Sequence, residues 1–143
     1  MSRSFKEDFK VGTESERSTH STLQTHFKQS LVRTPSHHRF DYEGATIYVE
    51  LKTRTNAYRR YPTTMIPTSK CIAADSSNRQ VFFVFKFTDG LYAIEYNKTF
   101  FDTFERDDFQ RPDRIDHIDK RQSYTYIPIQ SLQPIFTEKS NTI

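Results

Sequence analysis

Residues 81–85 read Val-Phe-Phe-Val-Phe. A β-branched and aromatic run of this length, with no polar alternation, is a strand buried on both faces, so it belongs in the middle of a sheet. It passes through Lys86 to Phe87 and stops at Asp89-Gly90, a tight-turn dipeptide from which residues 91–97 return as the second arm of a hairpin. A chain of 143 residues encloses one such core and not two. Aromatic residues make up 15% of it against 34% hydrophobic residues in all, which assigns the core to residues of high β propensity. With 3 Gly the chain has no G-x-G-x-x-G or G-x-x-x-x-G-K, and nucleotide-binding folds built on those loops are excluded.

Cys71 stands alone, so neither an internal disulfide nor a thiolate zinc site is available, and its Cys-Ile-Ala-Ala setting makes it a core residue rather than a nucleophile. No apolar stretch approaches membrane-spanning length, and Ser2-Arg3-Ser4 does not open a signal core; the expectation is a soluble intracellular protein without a membrane partner. The formal charge of +3 is unevenly distributed: 12 basic against 7 acidic residues up to residue 72, and 9 against 11 after it. A basic first half with acids at chosen points suits a polyanion that must be both attracted and chemically handled. His37 and His38 point to opposite faces of any strand, and neither they nor His20 and His26 sit at metal-ligand spacing.

Along the chain, residues 1–12 read as a polar lead-in, 13–136 as one domain and 137–143 as a frayed tail. Leu23, Phe27 and Leu31 form a helical stripe, with Thr13 or Ser15 as cap and Pro35 as stop. Residues 38–42 and 45–54 alternate on either side of Glu43-Gly44 and form a hairpin. Residues 57–63 read as a basic, aromatic connection, 65–74 as a short helix with Pro67 near its start, 98–122 as a charged surface excursion, and 123–129 as a returning strand.

The first hairpin carries the chemistry. In its second arm Ile47, Val49 and Leu51 share one face, and Tyr48, Glu50 and Lys52 the other, while Asp41 on the first arm can face them across the ladder. Phosphodiester cleavage needs hard divalent cations on carboxylate oxygens, an activated water and a positive group at the phosphate. Two acids and a lysine are the smallest set that provides this, and the Leu51 carbonyl, between Glu50 and Lys52, offers a further oxygen. Next in the chain, Arg54, Arg59, Arg60 and Tyr61 combine guanidinium groups with an aromatic ring, a composition suited equally to phosphates and unstacked bases or to a solvated loop.

Asp41 followed across a short hairpin by Glu50-Leu51-Lys52 resembles the PD-(D/E)XK nuclease superfamily, in particular its small phage and viral members related to Holliday junction resolvases. The resemblance spans residues 12 to about 97 and can take in the final strand. Phe40 stands where that pattern has proline, with Arg39 before it. It implies an α/β fold, restriction-endonuclease-like, with a mixed central sheet of about five strands flanked by helices. It further implies an Mg²⁺-dependent DNA endonuclease, with Mn²⁺ able to substitute, working in viral or phage DNA processing, recombination or repair in the cytoplasm or nucleus of a host. Members place a glutamate on the first helix, which here is Glu16, on the face of Leu23 and Phe27, or else Glu14. On this reading Asp41, Glu50, the Leu51 carbonyl and Glu16 hold the metal, Lys52 handles the attacking water, and Lys70 on the short helix faces the nucleic acid together with the arginines. A homodimer is compatible with a branched substrate. The competing reading is a nucleic-acid-binding module that keeps the fold without catalysis.

Overall fold

The computed structural model describes residues 5–107 and 122–137, with side chains for 15–107 and 122–136. Helix α1 runs over Phe5–Phe27. It therefore begins well before Thr13, inside the segment expected to be a lead-in. It also ends earlier than the Leu23, Phe27, Leu31 stripe suggests. Lys28 takes a left-handed φ of 58°, and the Gln29 N–H bonds the Gln24 carbonyl at 3.3 Å, the closing pattern of a Schellman motif. Leu31 follows outside the helix yet remains buried, its N–H taken by Gln24 Oε1 at 2.9 Å.

Next come strands β1 (Val32–Arg33), β2 (Tyr42–Glu43) and β3 (Ile47–Thr53). The expected first arm, residues 38–42, is mostly loop: only Tyr42 and Glu43 pair with β3, against Val49 and Tyr48. The turn between the arms is at Gly44, against which the Gln29 and Leu31 side chains pack. A Cβ at Gly44 would overlap the Gln29 amide and come within 3.1 Å of Leu31 Cδ2.

Strand β4 (Thr63–Pro67) and helix α2 (Thr68–Asp75) replace the single short helix read over 65–74. Pro67 ends the strand, and its fixed φ of −59° leads directly into the helix. Then β5 (Gln80–Phe87) and β6 (Gly90–Glu95) form the hairpin expected around Asp89-Gly90. The region expected to be a surface excursion opens with α3 (Lys98–Phe101) and β7 (Arg106–Asp107). Phe101 and Phe104 go into the core. Strands β8 (Tyr124–Pro128) and β9 (Gln133–Thr137) follow, β9 occupying residues outside the expected strands.

The main sheet has six strands, ordered β1-β2-β3-β5-β6-β9, with β3 parallel to β5 and the other pairs antiparallel. The Val-Phe-Phe-Val-Phe strand lies inside it, between β3 and β6. A second sheet, β4-β8-β7, takes the returning strand. One face of the main sheet is covered by Leu23 of α1, packed with Leu31, Tyr42, Ile47, Val49 and Val84. The other carries Phe83 and Phe85 under Cys71 and Ala74 of α2, with Ile66 of β4 and Ile127 of β8. Helices on both faces of a mixed sheet make this an α/β, restriction-endonuclease-like architecture.

Candidate active site

The site exists because β2 is short. Its pairing with β3 stops at Tyr42–Val49, and one further bond, from the Asp41 N–H to the Val49 carbonyl at 3.0 Å, ends the contact. The chain then turns away, with the Asp41 carbonyl taken by the Thr34 N–H at 2.9 Å. From Leu51 onward the outer edge of β3 faces no strand among the described residues. The Leu51 N–H on that edge donates to Asp41 Oδ2 at 2.8 Å. A strand residue sends its N–H and C=O to the same side, so the Leu51 carbonyl opens onto the notch that holds Asp41.

Strand alternation carries Glu50 and Lys52 to the α2 face, following Tyr48. Glu50 is only 3% exposed. Lys52 Nζ lies 3.4 Å from its Oε2 and Lys70 Nζ, from α2, 3.5 Å from its Oε1. The Lys70 ammonium donates to the Arg39 carbonyl instead and stands 5.8 Å from the centre of the Phe40 ring. Glu50 Oε1 therefore has no hydrogen-bond donor among the described residues. Burial pushes the Glu50 carboxyl up, neighbouring Asp41 pushes it further, and Lys70 and Lys52 pull it back. An enclosed carboxylate oxygen without a donor, beside a second acid, is unfavourable by itself. Two carboxylates and a carbonyl form an all-oxygen set suited to a hard divalent cation.

Glu16 is placed differently. It is exposed on α1 and opens, with Asp41, Leu51, Thr53, Arg33 and Lys86, onto a cleft of ≈ 200 Å³ on the α1 side of the notch. Glu50 is on the opposite face and Asp41 lies between them. Among the described residues no three acid, histidine or cysteine side chains converge on one point. The Glu14 side chain lies outside the described residues.

The basic residues divide. Arg54 is bound to its surroundings: Nε donates to Thr64 Oγ1 at 3.0 Å, Nη2 to the Met65 carbonyl, and the guanidinium lies 5.4 Å from the centre of the Phe85 ring. Arg59, Arg60 and Tyr61 remain exposed, with the Arg60 guanidinium 5.1 Å above the Tyr61 ring. Their loop is anchored at the β5–β6 end by Tyr58, whose N–H bonds Asp89 Oδ1 at 2.9 Å and whose ring stacks on Tyr92 at 3.9 Å. Cys71 is buried, and burial pushes its thiol up.

Sequence reasoning missed Lys86 and Arg33. Lys86 reaches Ser15 Oγ at 2.6 Å at the cleft wall. The signal for it was its position: a single lysine in an otherwise apolar run must open on water or an anion.

Among the described residues no helix is long and apolar enough to cross a membrane. No curated protein and no solved structure matches the chain. The family model described as Phage putative PDDEXK endonuclease matches residues 6–135, which take in the acid hairpin, Lys52, Lys70 and all but the end of β9; the chain belongs to that family of PD-(D/E)XK phage nucleases.

Proposed function

We propose that the protein is a divalent-cation-dependent DNA endonuclease, Mg²⁺ being the physiological ion and Mn²⁺ a substitute, serving phage DNA processing, recombination or repair. The observation that carries this reading is Glu50 Oε1, enclosed, without a donor, and next to Asp41 and the open Leu51 carbonyl. Asp41, Glu50 and the Leu51 carbonyl would hold the ion, with Glu16 completing its shell through water from the α1 side. The bound ion supplies charge stabilisation at the phosphate and a more acidic water. The chain supplies the rest. Lys52, about a third exposed beside Glu50, orients the attacking water and neutralises charge on the phosphate. Lys70 steadies Glu50 from the other side. Asp41, fixed by the Leu51 N–H, cannot swing away from the notch.

The test is a gel assay of supercoiled plasmid, linear duplex, branched and single-stranded DNA, with and without Mg²⁺ or Mn²⁺. Cutting should require the ion. Binding without cutting under every condition would leave only a nucleic-acid-binding module.

The exposed pair Arg59 and Arg60 should position DNA without reading it. Replacing both with alanine should weaken binding similarly for all sequences and flatten its salt dependence by roughly one to two counterions. Turnover at saturating substrate should hardly change. Arg54, tied to β4, is not expected to contribute. An unchanged salt slope would place the DNA track elsewhere.

A further inference from the structure

A groove of ≈ 410 Å³ lies on the α2 face beside Glu50, between the end of α2 with the residues after it (Ser76, Ser77, Asn78), the 37–40 segment and Tyr48. Its size is that of a small-molecule cleft, about 300–1,000 Å³. Three properties bear on what it could hold. Among the described residues no carboxylate lines it, in a protein with 18 acidic residues. Its floor is aromatic and fixed: Tyr48 packs on Phe40 at 5.5 Å and on His38 at 5.1 Å. The Arg79 guanidinium sits 5.0 Å over the Tyr48 ring, held by the Tyr48 hydroxyl at 2.8 Å and Glu43 at 3.2 Å. Finally, its rim mixes donors and acceptors, with exposed His37, Arg39 and Asn78.

The groove also adjoins the proposed active site. Tyr48 and Glu50 are two residues apart on the same face of β3, about 7 Å. The Arg39 carbonyl that receives the Lys70 ammonium belongs to the groove wall, and that ammonium is 3.5 Å from Glu50. A phosphate at Glu50 and a base in the groove are thus within the span of one nucleotide. A simple phosphate track would need cations alone. A cleft with an aromatic floor, an amide and imidazoles suits a nucleobase, by stacking and by hydrogen bonds to its edge.

We propose that this groove accepts an unpaired base of the substrate strand next to the scissile phosphate, so that DNA carrying a bulged, unstacked nucleotide is bound in preference to plain duplex. The inference rests on the nuclease reading of the Asp41–Glu50 site and adds its substrate class.

The experiment uses the full chain and three fluorescein-labelled duplexes of one sequence: fully paired, with a single-thymine bulge, and with the same bulge made abasic. Affinities are measured by anisotropy in Ca²⁺ and cleavage separately in Mg²⁺. The thymine bulge should bind about tenfold more tightly than the other two. Asn78→Ala and His37→Ala, both exposed and outside the metal site, should each reduce that preference while leaving affinity for paired duplex unchanged. Equal affinity of the parent for all three duplexes, or an equal loss for all three in the variants, overturns the base groove. If cleavage of the duplexes persists in that case, the nuclease reading stands. If no DNA is bound or cut, both fail.

Discussion

Lys52→Ala should bind DNA and divalent ions nearly as the parent does, yet cut roughly 10²–10⁴-fold more slowly, the usual loss for a positioned acid–base group. The structure separates this from a folding effect. Lys52 is about a third exposed and packs in neither core cluster, so its removal opens no cavity in the core. Glu50 would keep Lys70 at 3.5 Å, so the acid is not left alone. Single-turnover cleavage, DNA affinity in Ca²⁺ and melting temperature on one preparation settle the matter. Full activity in Lys52→Ala would remove Lys52 from the chemistry. It would direct attention to Lys70, whose own replacement in that background would then abolish cutting.

Glu50→Gln should reverse the order of stabilities when metal is added. The Glu50 carboxyl is held above its ordinary value of 4.5 by burial first and Asp41 second. Between that ordinary value and the raised native one, the folded chain binds more protons than the unfolded chain. The parent therefore loses stability as pH rises through this window, and a penalty is present at pH 7, above the ordinary value. A neutral amide of nearly the same shape escapes it. Without divalent ions, Glu50→Gln should melt at or above the parent's temperature at pH 7, and the difference should vanish at acid pH, where Glu50 is protonated in both states. At about 100 Kd of metal the parent should gain about 2.7 kcal/mol, roughly 8 °C for a chain of this size, and the variant almost nothing. Melting curves with and without Mn²⁺ provide the check. An equal gain in both proteins would take Glu50 out of the metal site.

The parts of this site legible in the sequence are those held by local geometry. Strand alternation places Glu50 and Lys52 together whatever the rest of the chain does, and the short hairpin brings Asp41 to the Leu51 N–H. The central strand was equally plain, since an unbroken apolar run fits few other places. Elements set by tertiary contact were not. Residues 63–67 become a strand because β8 pairs with them, and Gln133–Thr137 because β6 offers an edge. Phe101 and Phe104 were hidden among charges that count as surface until the chain folds back. The early start of α1 had no apolar stripe to show it, because residues 5–12 are polar and without periodicity beyond Phe5 and Phe9. The contacts of Lys70 and Lys86 carry no local signature, because their partners Glu50 and Ser15 lie far away in the chain.

That division has a kinetic side. Asp41, Glu50 and Lys52 belong to a single hairpin and can come together early, whereas β3 meets β5 in parallel only after the chain has passed through β4 and α2. Closing such a crossover is slow compared with forming a hairpin. The topology thus allows the acids to assemble before Lys70 is placed by α2 and Lys86 by β5. The cations that complete the site, Lys70 beside Glu50 and Lys86 at the cleft wall, are therefore supplied only by the finished fold.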